Sequence, residues 1–163
     1  MQRRTMVRTT VTTVAAAVLG TGVLVTAPGA TAAPREEHCV VRVLGQRPTG
    51  ELETTAPTCA PTRDQALARS GATADADVPI GYHYDGVDLT GSSFTVVGSS
   101  CVGGWLNLPA TWVNRVSSTL HGCPHIRHFD GNNLTGASQM TVYPGGNLAA
   151  AMNNKTNSIQ YLP

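Results

Sequence analysis

The sequence predicts an all-β protein in which one unit, written twice, closes into a single sandwich. Three observations predict it. First, Tyr84-Asp85-Gly86-Val87-Asp88-Leu89-Thr90-Gly91 recurs 45 residues later as Phe129-Asp130-Gly131-Asn132-Asn133-Leu134-Thr135-Gly136, with five of eight positions identical and one aromatic replacing another. Second, the apolar runs after Ile80 are short, β-branched or aromatic, and divided by Gly-rich turns. Third, helical periodicity does not persist there. Matching material follows each copy. Gly103-Gly104-Trp105-Leu106 answers Gly145-Gly146-Asn147-Leu148, and Trp112-Val113-Asn114-Arg115-Val116-Ser117-Ser118 answers Met152-Asn153-Asn154-Lys155-Thr156-Asn157-Ser158. Neither copy could bury its apolar face alone, so two copies of about four strands predict two four-stranded sheets face to face.

The chain has 163 residues, room for one domain plus extras. Its start reads as a secretory signal peptide over residues 1–32: Arg3, Arg4 and Arg8, then a small apolar run from Val11 to Val25, then Ala30-Thr31-Ala32 as the cleavage pattern. That run is too short and too Thr-rich for a membrane span of about 20 residues. Cleavage after Ala32 would remove three Arg and leave eight basic against ten acidic side chains. With no basic patch and one Lys, Lys155, the sequence speaks against nucleic acid and anionic membranes as partners. Localisation is expected to be secreted.

Residues 33–79 read as an N-terminal arm and linker. Cys39 to Leu44 is a strand, and Gly45 to Pro61 is a Pro- and Gly-punctuated loop. Thr62-Arg63-Asp64-Gln65 is a capping box opening a short helix that Gly71 ends, and Gly71 to Pro79 is linker-like. An exported chain with four cysteines implies two bridges in one of three connectivities. Cys39–Cys59 and Cys101–Cys123 are expected, because each pair lies within one compositional block. A bridged loop of about twenty residues is worth roughly 3 kcal/mol on the chain-entropy model.

Residues 80–163 carry the two units, 80–120 and 125–163. Phe94–Val97, Trp105–Leu108 and Gln139–Tyr143 are strand candidates. Asp85-Gly86 and Asp130-Gly131 are expected as tight turns, with Gly supplying positive φ. Trp105 and Trp112 read as core. His121, His125 and His128 straddle Cys123, but His128 repeats His83, which points to packing and not to zinc; no Cys-x-x-Cys knuckle supports a zinc site either.

Aromatic-acid-x-x-x-Leu-x-Gly, a strand, then Trp-x-Asn-Arg-Val-Ser-Ser resembles the Greek-key motif of the βγ-crystallin superfamily, above all its secreted bacterial members. The resemblance covers residues 80–163 in two copies. It implies a two-motif sandwich in which the motif aromatic folds over a hairpin. Gly91 and Gly136 would hold the strained motif position, and Ser118 and Ser158 would tie the last strand back to the hairpin. Many members of the superfamily bind calcium through Asn/Asp-Asn/Asp-x-x-Ser/Thr-Ser loops, one per motif. Carried over, the loops are Val113 to Ser118 and Asn153 to Ser158. The implied ligands are Asp85, Asn114, Ser117, Asp130, Asn154 and Asn157. Both loops depart from the pattern: Val113 brings no oxygen, Asn157 replaces a hydroxyl, and neither loop contains a carboxylate. Calcium wants six to eight oxygens, so the cofactor expectation is weak calcium, with Kd on the order of 10⁻⁴–10⁻³ M, or Asn/Ser turns bonded only to backbone.

No Gly-x-Ser-x-Gly elbow is present, so no enzyme is expected. Asn133-Leu134-Thr135 and Asn154-Lys155-Thr156 match the glycosylation sequon, but ten Arg to one Lys reads as bacterial. The functional expectation is a secreted, non-enzymatic crystallin-type module with a structural or protective role. A second reading is an inhibitor of extracellular proteases, metalloproteases above all, since a crystallin-fold inhibitor family is similar in size, export and disulfides. Its reactive loop would be Ser99, Ser100, Cys101 and Val102, pinned by a bridge. A third is a killer-toxin-like antimicrobial protein.

Overall fold

The computed structural model describes residues 36–73, 76–101 and 103–163; the expected signal peptide and Val102 lie outside them. The described residues form two sheets, one short α-helix and one turn of 3-10 helix at Val87–Leu89. The arm supplies β1 (His38–Gln46), β2 (Leu52–Thr54), β3 (Thr58–Ala60) and α1 (Arg63–Arg69). The first motif supplies β4 (Val78–Tyr84), β5 (Ser93–Gly98), β6 (Trp105–Asn107) and β7 (Ser118–His121). The second supplies β8 (His125–Phe129), β9 (Ser138–Val142), β10 (Gly145–Asn147) and β11 (Ser158–Leu162).

Each motif lends its third strand to the other. One sheet runs β10-β7-β4-β5-β1-β2 with β3 also on β1, and the other runs β6-β11-β8-β9. The exchange makes the motifs inseparable, since removing either would leave both sheets incomplete. Taken alone, the repeat gives the two four-stranded sheets its sequence predicts. The arm then widens one of them to seven strands.

The arm is therefore part of the sheet. β1 lies parallel to β5 from His38↔Ser93 to Arg42↔Val97, and β3 pairs with β1 so that Cys39 faces Cys59, its disulfide partner. The second bridge joins Cys101 to Cys123, as expected. Thr62 caps α1 by accepting the Gln65 N–H, and Ala66 of that helix packs with Val40, Ala60 and Val97 in a small satellite core. The stretch read as a linker is anchored at its end: Asp77 accepts from Arg42 Nε at 2.8 Å and from the Thr73 N–H at 3.0 Å, and the next residue already opens β4.

Between the sheets lie Ile80, Phe94, Val96, Leu106, Ile126, Ile159 and Tyr161. Trp112 is buried against Phe94, ring centroids 5.7 Å apart. Trp105 is only half-buried; its indole N–H reaches the arm at Thr49 O, which corrects the core assignment for that residue.

Backbone bonds also correct the alignment of the two units. Leu108 N–H meets Asn157 O, and Leu148 N–H meets Ser117 O. Leu108, not Leu106, is thus the mate of Leu148. The offset is 45 residues through β5 and β9 and 40 from Asn107 and Asn147 onward, so the first motif carries five extra residues around Cys101.

Candidate functional site

The repeated octapeptide folds into the same turn twice. Gly86 N–H donates to Thr90 O and Gly131 N–H to Thr135 O, both at 3.0 Å. Gly91 and Gly136 take φ +80°, a region that a side chain resists. Asp88, Leu89, Asn133 and Leu134 also have positive φ, although none is glycine. Gly86 itself has φ −102°, so it is not there for positive φ as expected. A Cβ at Gly86 would sit 2.7 Å from Thr90 O, and close approach is what requires glycine.

Four cross-bonds hold each turn. Ser118 Oγ donates to Gly86 O at 2.6 Å and accepts from Leu89 N–H at 3.0 Å; Ser158 repeats this with Gly131 O at 2.6 Å and Leu134 N–H at 3.1 Å. Asn147 of the second motif clasps Asp88 of the first, accepting from its N–H and donating to its carboxylate. Asn107 of the first motif clasps Asn133 of the second in the same way. With Gly103–Leu106 set against Gly145–Leu148, Trp105 stands opposite Asn147, which hides these asparagines in the sequence. A five-residue gap opened at Cys101 brings them into register.

Beside these turns run the two loops that the resemblance marks for calcium. They are antiparallel across the pseudo-twofold: Asn114 N–H meets Thr156 O, and Asn154 N–H meets Val116 O, with both asparagines at positive φ. At the first half, Ser117 Oγ lies 2.9 Å from Asp85 O and 3.0 Å from Asn154 Oδ1, so three implied ligands converge. The Asp85 carboxylate is not free. It holds Arg115 Nη2 at 2.6 Å, while that guanidinium stacks over Trp112 at 4.7 Å. At the second half, Asn157 Nδ2 donates to Asp130 O, and Asn157 Oδ1 is buried with no partner. Lys155 is the mate of Arg115, but Asp130 takes part in no ion pair among the described residues. The donor set fits a cation in part. The first half offers three neutral oxygens beside a fixed positive charge, and the second offers a carbonyl, an orphaned amide oxygen and an unpaired carboxylate.

Of the other candidate groups, Ser99 and Ser100 are exposed and Cys101 is half-buried in its bridge. Among the described residues, the His/Cys/Asp/Glu group tight enough for a metal is Glu37, Cys39 and Cys59, whose sulfurs are bonded to each other. The histidines around Cys123 are dispersed. His125 Nδ1 is 3.1 Å from Pro163 O, His121 Nε2 is 2.7 Å from Thr141 Oγ1, and His128 is fully buried.

The two-motif sandwich, the paired motif glycines and the serine ties are the features that the motif resemblance implies. The sandwich has the βγ-crystallin fold. Solved structures are similar to it over half of this chain. A doubly substituted betagamma-crystallin domain from Clostridium beijerinckii has TM-score 0.42 and 16% identity, with 94% of that chain covered. An unsubstituted domain from the same organism has TM-score 0.41 and 12% identity, with 97% covered. A betagamma-crystallin domain from Flavobacterium johnsoniae has TM-score 0.39 and 22% identity, with 91% covered. No family model matches the chain, and no curated protein does.

Proposed function

We propose that this chain is an exported, non-enzymatic crystallin-type module with a structural or protective role outside the cell, and that its second loop holds calcium weakly. The observation that carries the calcium reading is Asn157 Oδ1, buried without a partner beside the Asp130 hairpin. A buried amide oxygen left unpaired costs about 1–3 kcal/mol, and a cation there would satisfy it together with Asp130. Two bridges and no free cysteine among the described residues support export, because disulfides persist in oxidising compartments. No helix among the described residues is long and apolar enough to cross a membrane. The non-enzymatic reading is supported by the closest Ser–His contact among the described residues: His38 Nδ1 is 2.8 Å from Ser93 Oγ, but Ser93 of β5 is fully buried between β1 and β4, out of a substrate's reach. The test is thermal unfolding with calcium and with chelator. Binding adds RT ln(1 + [L]/Kd), about 1.4 kcal/mol at ten times Kd. No shift at about 10 mM calcium would remove the calcium reading.

One observation favours a second reading, inhibition of an extracellular protease. The five extra residues of the first motif surround Cys101, and its bridge to Cys123 pins them to the start of β8 while Ser99 and Ser100 face solvent. A loop held in place loses little entropy when it enters a cleft. Titration against secreted metalloproteases and serine proteases tests this, and lack of inhibition at micromolar protein removes it.

A further inference from the structure

The pseudo-twofold makes β5 and β9 equivalent, but only β5 is covered. Thr95 and Val97 are 2% and 0% exposed beneath β1 and the satellite core. Their mates 45 residues on, Met140 and Val142, are 43% and 60% exposed, and Tyr143 beside them is 69% exposed. β9 ends its sheet, with β8 as its one neighbour. Asp130 N–H bonds to Ala137 O and Tyr143 N–H to Pro124 O, which fixes the alternation along this hairpin. Ser138, Met140 and Val142 therefore turn their N–H and C=O groups away from β8. An open row of this kind is a template for another strand, and proteins normally blunt it with charge, proline or brevity. The other edges are blunted. β2, β3, β6 and β10 are three residues each, β2 contains Glu53, β10 contains two glycines, and the Trp105 N–H of β6 already bonds to Gly50 O. β9 has five residues and neither charge nor proline.

We propose that β9 is a self-association edge, and that a second copy of this chain adds its own β9 antiparallel about a twofold axis through Met140. A twofold through Met140 sets Met140 against its own mate and each other residue against the one equally far beyond Met140, so charge along the strand would meet charge across the axis, and Ser138–Val142 carries none. The pairing joins Ser138 to Val142 of the mate and Met140 to Met140, and the two four-stranded sheets become one of eight. The nearest like charges are Arg127, opposite Met140 on β8, and its mate. They stand three strand spacings apart, about 14 Å, beyond the screening length of about 8 Å at physiological salt.

Sedimentation of the full mature chain from about 1 µM to about 1 mM tests this, since a narrow edge interface is weak. The mass is expected to rise from monomer to dimer and to stop there. Hydrogen exchange at Ser138, Met140 and Val142 is expected to slow with concentration. Met140→Pro removes an outward donor without touching the β8 pairing, and Met140→Lys sets two cations on the twofold; each is expected to weaken the dimer at least tenfold with unchanged circular dichroism. Val78→Lys, at an exposed site on the other sheet, is expected to leave it intact. A wild-type mass that stays monomeric throughout overturns the proposal. So does a Met140→Lys variant that dimerises as tightly as wild type, or a β9 that pairs only with a strand of some other protein.

Discussion

The rings of His83 and His128 meet edge to face between the two sheets, centroids 5.5 Å apart. They are the same position of the repeat, and both are fully buried. Thr119 Oγ1 spends its proton on Tyr82 O, so it accepts from His83 Nδ1–H; the other nitrogen, Nε2, then accepts from the Tyr161 hydroxyl at 2.9 Å. His83 is thereby fixed as the neutral tautomer. Neither nitrogen of His128 has a partner among the described residues.

This pair makes the fold acid-sensitive. Burial pushes His83 well below its ordinary value, with His128 nearby adding to the effect, and burial brings His128 to about 3. Both are depressed on folding, so below about pH 6.5 the unfolded chain binds more protons. Their contribution is complete above that pH and is lost as the pH falls toward 3. Denaturant titrations are expected to show a flat stability above pH 7 and a loss of about 2 kcal/mol per histidine by pH 5. His128→Leu is expected to keep or raise stability at pH 7, because it removes two orphaned polar atoms, and to lessen the acid slope, with His83 and His121 still depressed by burial. A stability that holds until the carboxylate range, below about pH 4, would contradict this.

Ser118 and Ser158 each close two backbone groups of a turn in the other half of their own motif. Alanine at either position leaves a carbonyl and an N–H unpaired and opens only a small void. Each substitution is expected to cost about 1–3 kcal/mol, read as a lower urea midpoint at constant slope. A loss under about 0.5 kcal/mol would mean that water replaces the hydroxyl.

What the sequence revealed and what it hid divide along the repeat. The octapeptide was legible because it repeats within the chain, while the roles of Gly91, Gly136, Ser118 and Ser158 came with the motif resemblance, the serines bonding to turns far from them in sequence. The disulfide pairs were legible because each closes within a segment. Asn107 and Asn147 were not, since an insertion shifts them out of alignment and their bonds cross between motifs. The role of the arm was hidden too. A parallel strand such as His38–Arg42 against β5 is a non-local pairing, and nothing in either segment names its partner. The ion pair of Arg115 with Asp85, 2.6 Å apart, was hidden because it joins two segments distant in sequence.

Gly91→Ala is expected to cost more than Gly71→Ala. Both glycines have positive φ, +80° and +74°. A Cβ at Gly71 meets nothing within 4 Å, whereas one at Gly91 runs into Asp85 Oδ1. The Gly71→Ala loss should be about 1–2 kcal/mol from conformation alone; Gly91→Ala adds a displaced carboxylate and its ion pair with Arg115, for a total of about 3 kcal/mol or more. Equal melting temperatures for the two variants would show that the turn yields freely.

Arg115→Gln is expected to strengthen the calcium response. The guanidinium neutralises Asp85 and stands beside the cluster formed by Asp85 O, Ser117 Oγ and Asn154 Oδ1, so an incoming cation meets a charge of its own sign. Glutamine removes that charge and frees the carboxylate, giving the first loop the anionic ligand it lacks. Calorimetry should show calcium affinity rising about tenfold, since affinity at such sites follows the count of ligand charges. Adding Asp85→Asn should cancel the gain, while Asp130→Asn in the same background should leave it in place. A variant that binds no better than the parent would show that the first loop cannot hold calcium whatever its charge.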